Sequence, residues 1–319
     1  KLLRIRVDWT GRREQPGGVG GRRPLSSRGG MRVLFSGACV ALLGLLGLVV
    51  EGQQTKVENN GGHYRFSNIR WRQVEGNSVE FTLTSAWRRD YGSAYWQGHG
   101  DDGLAVPGDV IQLNGKQWPI LSFGDETVTL GQYLQLQVTA YSKAENWVYG
   151  TTTVTHRYAT PNNKGDPWTV RFSGCCKLSE VNQLNRKDTP WDVTTAVDLL
   201  LDSVSPVIAA MPVYSLQDVG RLSFYVPGFH PRNASAPVSV TLSSPATALT
   251  TAPTPFSVDV NPDLGKIELG FPPITPGESS QAGNFFFLKL NADAGAGHVQ
   301  AEFLLRITRV TAGVGVGVP

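Results

Sequence analysis

The sequence predicts an all-β protein built from two tandem antiparallel β-sandwich modules. From residue 55 onward, short segments rich in Val, Thr, Phe, Tyr and Trp follow one another with turn residues between them. Several of these segments alternate apolar and polar side chains, as in Val79–Thr84, Leu134–Thr139 and Thr151–His156. A period of two places one face of each strand on a core and the other in water. The segments are therefore expected to form half-buried sheets.

Turn residues lie where hairpins need them. Gly76-Asn77, Asn114-Gly115 and Phe123-Gly124-Asp125 each separate two predicted strands. The spacing between such turns is typical of a sandwich or a barrel.

The first 52 residues are expected to be removed or unstructured. Residues 1–30 hold eight basic side chains and no apolar periodicity, which indicates upstream sequence before Met31. Residues 33–50 carry no charge, so residues 31–52 are interpreted as a signal peptide cleaved before Gln53. The alternative is a marginal membrane anchor, because about 18 apolar residues is near the lower limit for a span.

Charge gives no support for a nucleic acid partner or for membrane insertion after signal cleavage. Without residues 1–52 the chain keeps 20 basic and 23 acidic side chains, a net charge of −3, although the whole sequence has a pI near 8.8. The basic pI therefore belongs to the N-terminal segment.

A module boundary is predicted near Ser203–Pro212, which contains two prolines. Seven of the eight tryptophans lie between Trp71 and Trp191, and none follows. The predicted organisation is a Trp-rich module at 55–205, a second sandwich at 206–311 and a flexible tail at 312–319. Within the second module, the Ser/Thr/Pro-rich segment 243–255 is expected to be a surface loop.

The second module has a recurrent strand pattern. Its predicted strands are Arg221–Val226, Val238–Leu242, Phe256–Asp259, Asp263–Ile267, Gly283–Asp293 and Ala301–Ile307. This pattern resembles the cadherin-like and immunoglobulin-like repeats of extracellular surface proteins, and the resemblance implies a β-sandwich. The turn that supplies calcium ligands in such repeats reads His230-Pro231-Arg232-Asn233-Ala234 here, so no calcium site, other metal or cofactor is expected.

The first module also has a family resemblance. The segments GGHYRFSNIRW, NSVEFTLTSAWRR, TVTHRY and FSGCCKLSEV are similar to an N-terminal region joined to such repeats in extracellular proteins of algae, protists and bacteria. The resemblance implies a secreted or cell-surface location. It carries no established activity.

Cys175 and Cys176 are adjacent and are the only cysteines that remain after residue 52. An exported protein favours oxidised cysteines. A vicinal disulfide, pairing with another chain and two free buried thiols are the three alternatives.

The loop at residues 91–103 is the leading candidate for a ligand site. It combines aromatic rings and carboxylates, which sugar-binding sites use together, in Tyr91, Tyr95, Trp96, His99, Asp101 and Asp102. The alternative is that Tyr95 and Trp96 close the end of the sandwich while the polar side chains cap turns. A metal here would need further ligands, such as His63 or His156.

These observations favour a non-catalytic extracellular protein for structure or adhesion, with glycans or other surface or matrix proteins as partners. The alternatives are a carbohydrate-binding module that uses loop 91–103 and a glycan-active hydrolase with two carboxylates in a cleft. No catalytic residue is predicted, because nucleophile elbows, phosphate-binding loops and His-Glu-x-x-His motifs do not occur after residue 52. Asn233-Ala234-Ser235 is a predicted N-glycosylation site.

Overall fold

The computed structural model describes residues 63–91, 96–114, 119–178, 189–217, 221–243, 257–270, 285–295 and 297–308. The predicted signal peptide, the 243–255 loop beyond Ser243 and the C-terminal tail lie outside these ranges. Among the described residues no helix is long and apolar enough to cross a membrane.

The prediction of an all-β fold is confirmed. Among the described residues, nine strands precede residue 205: β1 Tyr64–Glu75, β2 Ser78–Arg88, β3 Val110–Gln112, β4 Ile120–Ser122, β5 Val128–Leu130, β6 Gln135–Ser142, β7 Trp147–Arg157, β8 Trp168–Gly174 and β9 Trp191–Val197. Nine follow it: β10 Val207–Ile208, β11 Val213–Gln217, β12 Arg221–Tyr225, β13 Gly228–Phe229, β14 Ser239–Leu242, β15 Ser257–Asn261, β16 Lys266–Gly270, β17 Phe285–Ala294 and β18 Gly297–Thr308.

The long hairpins follow the predicted alternation. β1 pairs with β2 around the Gly76-Asn77 turn, and β2 pairs with β7 along its whole length. Val79, Phe81 and Leu83 point into the core, whereas Glu80 and Thr82 between them are only partly buried. The pattern of period two therefore gives the correct buried face.

One sheet runs through both halves of the sequence. Within the described ranges it contains thirteen strands, with a main path of β3-β6-β7-β2-β1-β18-β9-β8-β4-β5 and with β11, β14 and β17 attached beside it. Strands β12, β16 and β15, all from the second half of the chain, form a separate sheet. The module boundary near residue 205 stays a prediction, but the two halves share this sheet.

Strand β18 is the element that joins the halves. It pairs with β17 from residue 297 to 306. It also pairs in turn with β9 at Val299, with β1 at Ala301 and Glu302, and with β11 from residue 304 to 308. Because a strand has two edges, β17 occupies one edge of β18, and three strands share the other edge through short paired stretches.

Two hydrophobic cores take side chains from strand β18. The first is built mainly from residues 64–197 and includes Phe287 and Leu304 from the C-terminal hairpin. The second is built mainly from residues 208–307 and includes Phe66 and Ala86 from the first half. Each core therefore takes side chains from the other half of the chain.

A buried ion pair crosses the same junction. The ammonium of Lys177, which follows β8, meets the carboxylate of Glu302 on β18, and both side chains are at most 2% exposed. The Lys177 ammonium also lies 5.1 Å from the centre of the Phe287 ring. Such a pair costs desolvation when it forms, but removing one partner leaves the other charge buried.

We expect Lys177→Met to lower the free energy of unfolding by about 3–5 kcal/mol, because the Glu302 carboxylate then loses its main counter-charge. Urea denaturation measures the change. The double variant Lys177→Met, Glu302→Met should recover most of the loss, because it removes both charges. Lys143→Met, at an exposed lysine, is the control and should change stability by less than about 0.5 kcal/mol. Wild-type stability in Lys177→Met would contradict the account.

Candidate functional site

The segment between β2 and β3 starts from a group of buried aromatic rings. Trp96 is 1% exposed, and its ring lies 6.1 Å from that of Trp87 and 5.5 Å from that of Tyr91. His63 stacks on Tyr91 at 4.3 Å. Burial, with Arg65 and Arg88 nearby, lowers the pKa of His63 to about 4, so this imidazole is neutral at physiological pH. The base of the segment is therefore a hydrophobic anchor.

Beyond Trp96 the chain folds back tightly on itself. Gly98 donates its backbone N–H to Gly103 at 3.1 Å, and Gly100 donates to Leu104 at 3.0 Å. A Cβ atom at position 98 would lie 2.2 Å from the Asp109 carboxylate and 2.4 Å from the Ala105 Cα. Only glycine fits there, so the sequence Gly98-His99-Gly100 reflects a close approach of two stretches of backbone. We call residues 96–109 the polar loop.

The buried Arg89 side chain holds the polar loop in place. Its two terminal nitrogens lie 2.5 and 2.7 Å from the Asp102 carboxylate oxygens, and its Nε donates to the Ala105 carbonyl at 3.1 Å. The Arg89 guanidinium lies 4.6 Å from the centre of the Tyr141 ring and is almost fully buried. A bidentate pair of this kind fixes geometry as well as charge. The Arg89 hydrogen bonds lower the pKa of Asp102, which therefore stays ionised.

A second carboxylate, Asp109, caps the other side of the polar loop. Its Oδ2 accepts hydrogen bonds from the backbone N–H groups of His99 at 3.0 Å and Val106 at 2.9 Å, while its Oδ1 contacts His99 Nδ1. These contacts, His99 first, lower the pKa of Asp109 to about 2. The same hydrogen bond raises the pKa of His99 above its usual 6.5.

The outer face of the polar loop carries mixed charge. The Lys143 ammonium lies 3.6 Å from the Asp102 carboxylate and 3.8 Å from that of Asp101. Asp101 is fully exposed, Lys143 is half exposed and the His99 ring is 92% exposed. A buried arginine thus fixes a loop whose exposed side chains offer both signs of charge.

The structure separates the candidate residues predicted from sequence into two groups. His99, Asp101 and Asp102 lie together on the polar loop. Trp96 lies in the core and offers no open ring face for a sugar, whereas Tyr91 is half-buried and stacks on His63; Tyr95 lies outside the described residues. Whether the polar loop binds a ligand stays a prediction.

Sequence reasoning missed the residues that organise the loop. Arg89, Asp109, Tyr141 and Lys143 all contribute, and Tyr141 and Lys143 come from the end of β6 and the turn after it. The local sequence Arg88-Arg89-Asp90 does not show which of the two arginines turns inward.

Within the described ranges, no three His, Cys, Asp or Glu side chains lie together in a way that could hold a metal ion. His156 instead pairs with Asp125 at 2.7 Å.

The other predicted sites are elsewhere in the fold. Cys175 and Cys176 follow β8, are half-buried and have their sulfur atoms joined to each other in the structure. Asn233 is exposed in a turn after β13, where its Oδ1 accepts a hydrogen bond from the Ser235 N–H at 3.1 Å. Glycosylation of Asn233 and the oxidation state of the cysteines stay predictions.

Comparison with known proteins relates the first half to one family. Residues 65–200 match the sequence model described as "Integrin beta-like protein A-E, N-terminal". Two similar proteins from Dictyostelium discoideum carry the same family description: integrin beta-like protein C is 25% identical over 162 residues, and integrin beta-like protein A is 24% identical over 165 residues. Each alignment covers 48% of this chain but 8% of the relative, so the chain spans a small part of the length of either protein. The resemblance of the second half to cadherin-like repeats stays a prediction.

Solved structures give only distant matches. One is the sialic acid binding region of a Streptococcus sanguinis SK1 adhesin, which is 13% identical with a TM-score of 0.24 and covers 75% of this chain and 76% of that one. Another is an endo-fucoidan hydrolase of glycoside hydrolase family 107, which is 12% identical with a TM-score of 0.22 and covers 74% of this chain and 34% of that one. At these scores neither match bears on function.

We expect His99 to titrate above pH 6.5 because the Asp109 carboxylate stabilises its protonated form. The ion pair of His99 and Asp109 contributes fully to the order of the loop between pH 3.8 and pH 6.5, the ordinary pKa values of the two groups. Its contribution to loop order is lost as pH rises through the raised pKa of His99, and again as pH falls toward the lowered pKa of Asp109. NMR titration of labelled histidines measures the His99 value.

The matched variant is Asp109→Asn, which keeps an oxygen acceptor for the backbone but loses the charge. The pKa of His99 should fall toward 6.5 in this variant. His298, whose pKa burial lowers, is the internal control and should not move. A His99 value that is the same in both proteins would contradict the assigned pair.

Proposed function

We propose that this chain is a non-catalytic extracellular adhesion protein that binds a surface protein or a glycan through the polar loop. The main support is that the family match over residues 65–200 spans the whole of the Arg89-anchored loop. The relatives are described as integrin beta-like proteins, and an adhesion role accords with that description. A cell-surface or secreted location accords with those names and with the predicted signal peptide at 31–52.

The geometry of the carboxylates favours binding over hydrolysis. A glycoside hydrolase needs one carboxyl group with a raised pKa to act as a general acid. Asp102 instead accepts two hydrogen bonds from Arg89, and its pKa is lowered. Asp109 is likewise held ionised, with a pKa of about 2. Both carboxylates therefore serve as fixed anions that shape the loop.

The exposed charges favour a protein partner over a glycan. A lectin-like role requires Tyr91, Tyr95 and Trp96 to be exposed on one face, but Trp96 is buried and Tyr91 stacks on His63. The accessible groups are the His99 imidazole, the Asp101 carboxylate and the Lys143 ammonium. Charged groups of both signs at a rim set the partner and the association rate.

Binding by the full chain, immobilised on beads, tests the proposal against two panels: soluble cell-surface and matrix proteins, and a printed glycan array. We expect saturable binding to members of the protein panel. Asp101→Lys and Lys143→Glu should each weaken it by about tenfold, a cost of about 1.4 kcal/mol for a misplaced charge. Asp166→Lys and Arg157→Glu change exposed charges away from the loop and should bind like the wild type.

The double reversal Asp101→Lys, Lys143→Glu separates two causes of weak binding. It restores an attractive pair within the loop but presents the partner with inverted charges. If the partner contacts these side chains, the double variant stays weak although each variant melts at the wild-type temperature. Binding to the glycan array alone would replace the protein partner by a glycan. Wild-type binding by the reversed variants, or no binding by the wild type to either panel, would contradict the proposal.

A further inference from the structure

The adjacent cysteines lie one residue from the buried ion pair that joins the two halves. Cys175 and Cys176 follow β8 and are half-buried, so solvent reaches this part of the chain. The next residue, Lys177, turns inward and is 2% exposed. The segment thus passes from two half-buried cysteines to a core cation within one peptide unit.

Backbone contacts hold this segment on both sides. The Cys176 carbonyl accepts a hydrogen bond from the Tyr64 N–H at the start of β1, at 3.4 Å. The Lys177 N–H donates to the Thr189 carbonyl at 3.0 Å. Gly174 lies close to the Trp191 ring, where an added Cβ would be 2.9 Å from Cζ2. The path of the main chain at 174–177 therefore determines where the Lys177 side chain enters the core.

The side chain of Lys177 connects this path to the C-terminal hairpin. It pairs with Glu302 on β18 and lies over the Phe287 ring on β17. Glu302 is the residue at which β18 pairs with Ser67 of β1. The segment 174–177 is thus connected through Lys177 to the strand that both cores share.

We infer that Cys175–Cys176 is a thiol-exchange site at which a dithiol reductant loosens the attachment of β18 to the first half. A thiolate of the reductant attacks one cysteine sulfur, the bond between the cysteines breaks, and the other cysteine leaves as a thiolate. The second thiol of the reductant then displaces the first cysteine and closes a cyclic disulfide. The protein gains two electrons and two protons, and the dithiol loses them.

The disulfide affects the ion pair through the conformational freedom of the backbone between them. A bond between neighbouring cysteines closes a ring of eight atoms that contains the peptide joining them, so main-chain rotation there is restricted. Opening the ring frees those rotations, and holding Lys177 against Glu302 then costs additional backbone entropy. This inference goes beyond the proposed function and does not depend on the polar loop.

Hydrogen exchange measured by mass spectrometry tests the inference in the full chain. All proteins carry Cys39→Ser so that residues 175 and 176 are the only cysteines. Before reduction, the mass should be two hydrogens below that of the dithiol form, and neither thiol should react with iodoacetamide. Dithiothreitol should then accelerate exchange of the β18 amides by about tenfold, the effect of freeing about one residue of backbone. Exchange in β6 and β7, away from the junction, should not change.

Two variants identify the route. Cys175→Ser, Cys176→Ser should exchange at the reduced rate with or without dithiothreitol, which controls for direct effects of the reagent. Lys177→Met, Glu302→Met keeps the cysteines but removes the ion pair, so reduction should accelerate β18 exchange less than in the parent protein. The inference is overturned if both thiols react before reduction. It is equally overturned if full reduction leaves β18 exchange unchanged.

Discussion

The pairing of strand Gly297–Thr308 with four other strands is the constraint on which the rest of the molecule depends. One edge of this strand is occupied by its hairpin partner, Phe285–Ala294, and the other passes across three strands from different parts of the chain. Its two faces supply side chains to both cores, for example Leu304 to the first and Phe303 to the second. Lys177 and Glu302 place opposite charges in the same junction. Backbone pairing, apolar burial and electrostatics thus coincide at one strand.

This junction bears on the proposed function because the polar loop is built on the same sheet. Arg89 follows directly after the strand Ser78–Arg88, which lies beside the strand that Gly297–Thr308 joins. The guanidinium fixes Asp102, and the backbone around it places His99 and Asp101 at the surface. An anchored loop of this kind would lose little conformational entropy in the binding we propose. The sheet therefore supplies rigidity, and the proposed recognition rests on a few exposed charges.

The sequence predicts the strands well and the contacts between distant segments poorly. Alternation locates the buried face of Ser78–Arg88, and Gly76-Asn77 locates its turn, because both signals are local. The partner of Arg89 is not a local signal, since Asp102 is brought back only by the tight turns at Gly98 and Gly100. Trp96 shows the same limit: an aromatic residue among glycines and carboxylates suggests an exposed ring, but packing on Trp87 buries it. The sharing of one strand by two cores depends on register across more than 200 residues, which periodicity does not encode.

Equilibrium unfolding followed by two probes tests most directly whether this strand makes the two halves one cooperative unit. All tryptophans after residue 52 lie between Trp71 and Trp191, so tryptophan fluorescence reports on the first half. Hydrogen exchange of the strand Lys266–Gly270, measured across the same urea series, reports on the second. The account predicts a single transition with the same midpoint for both probes. Two separate midpoints would show that the halves unfold independently and would contradict it.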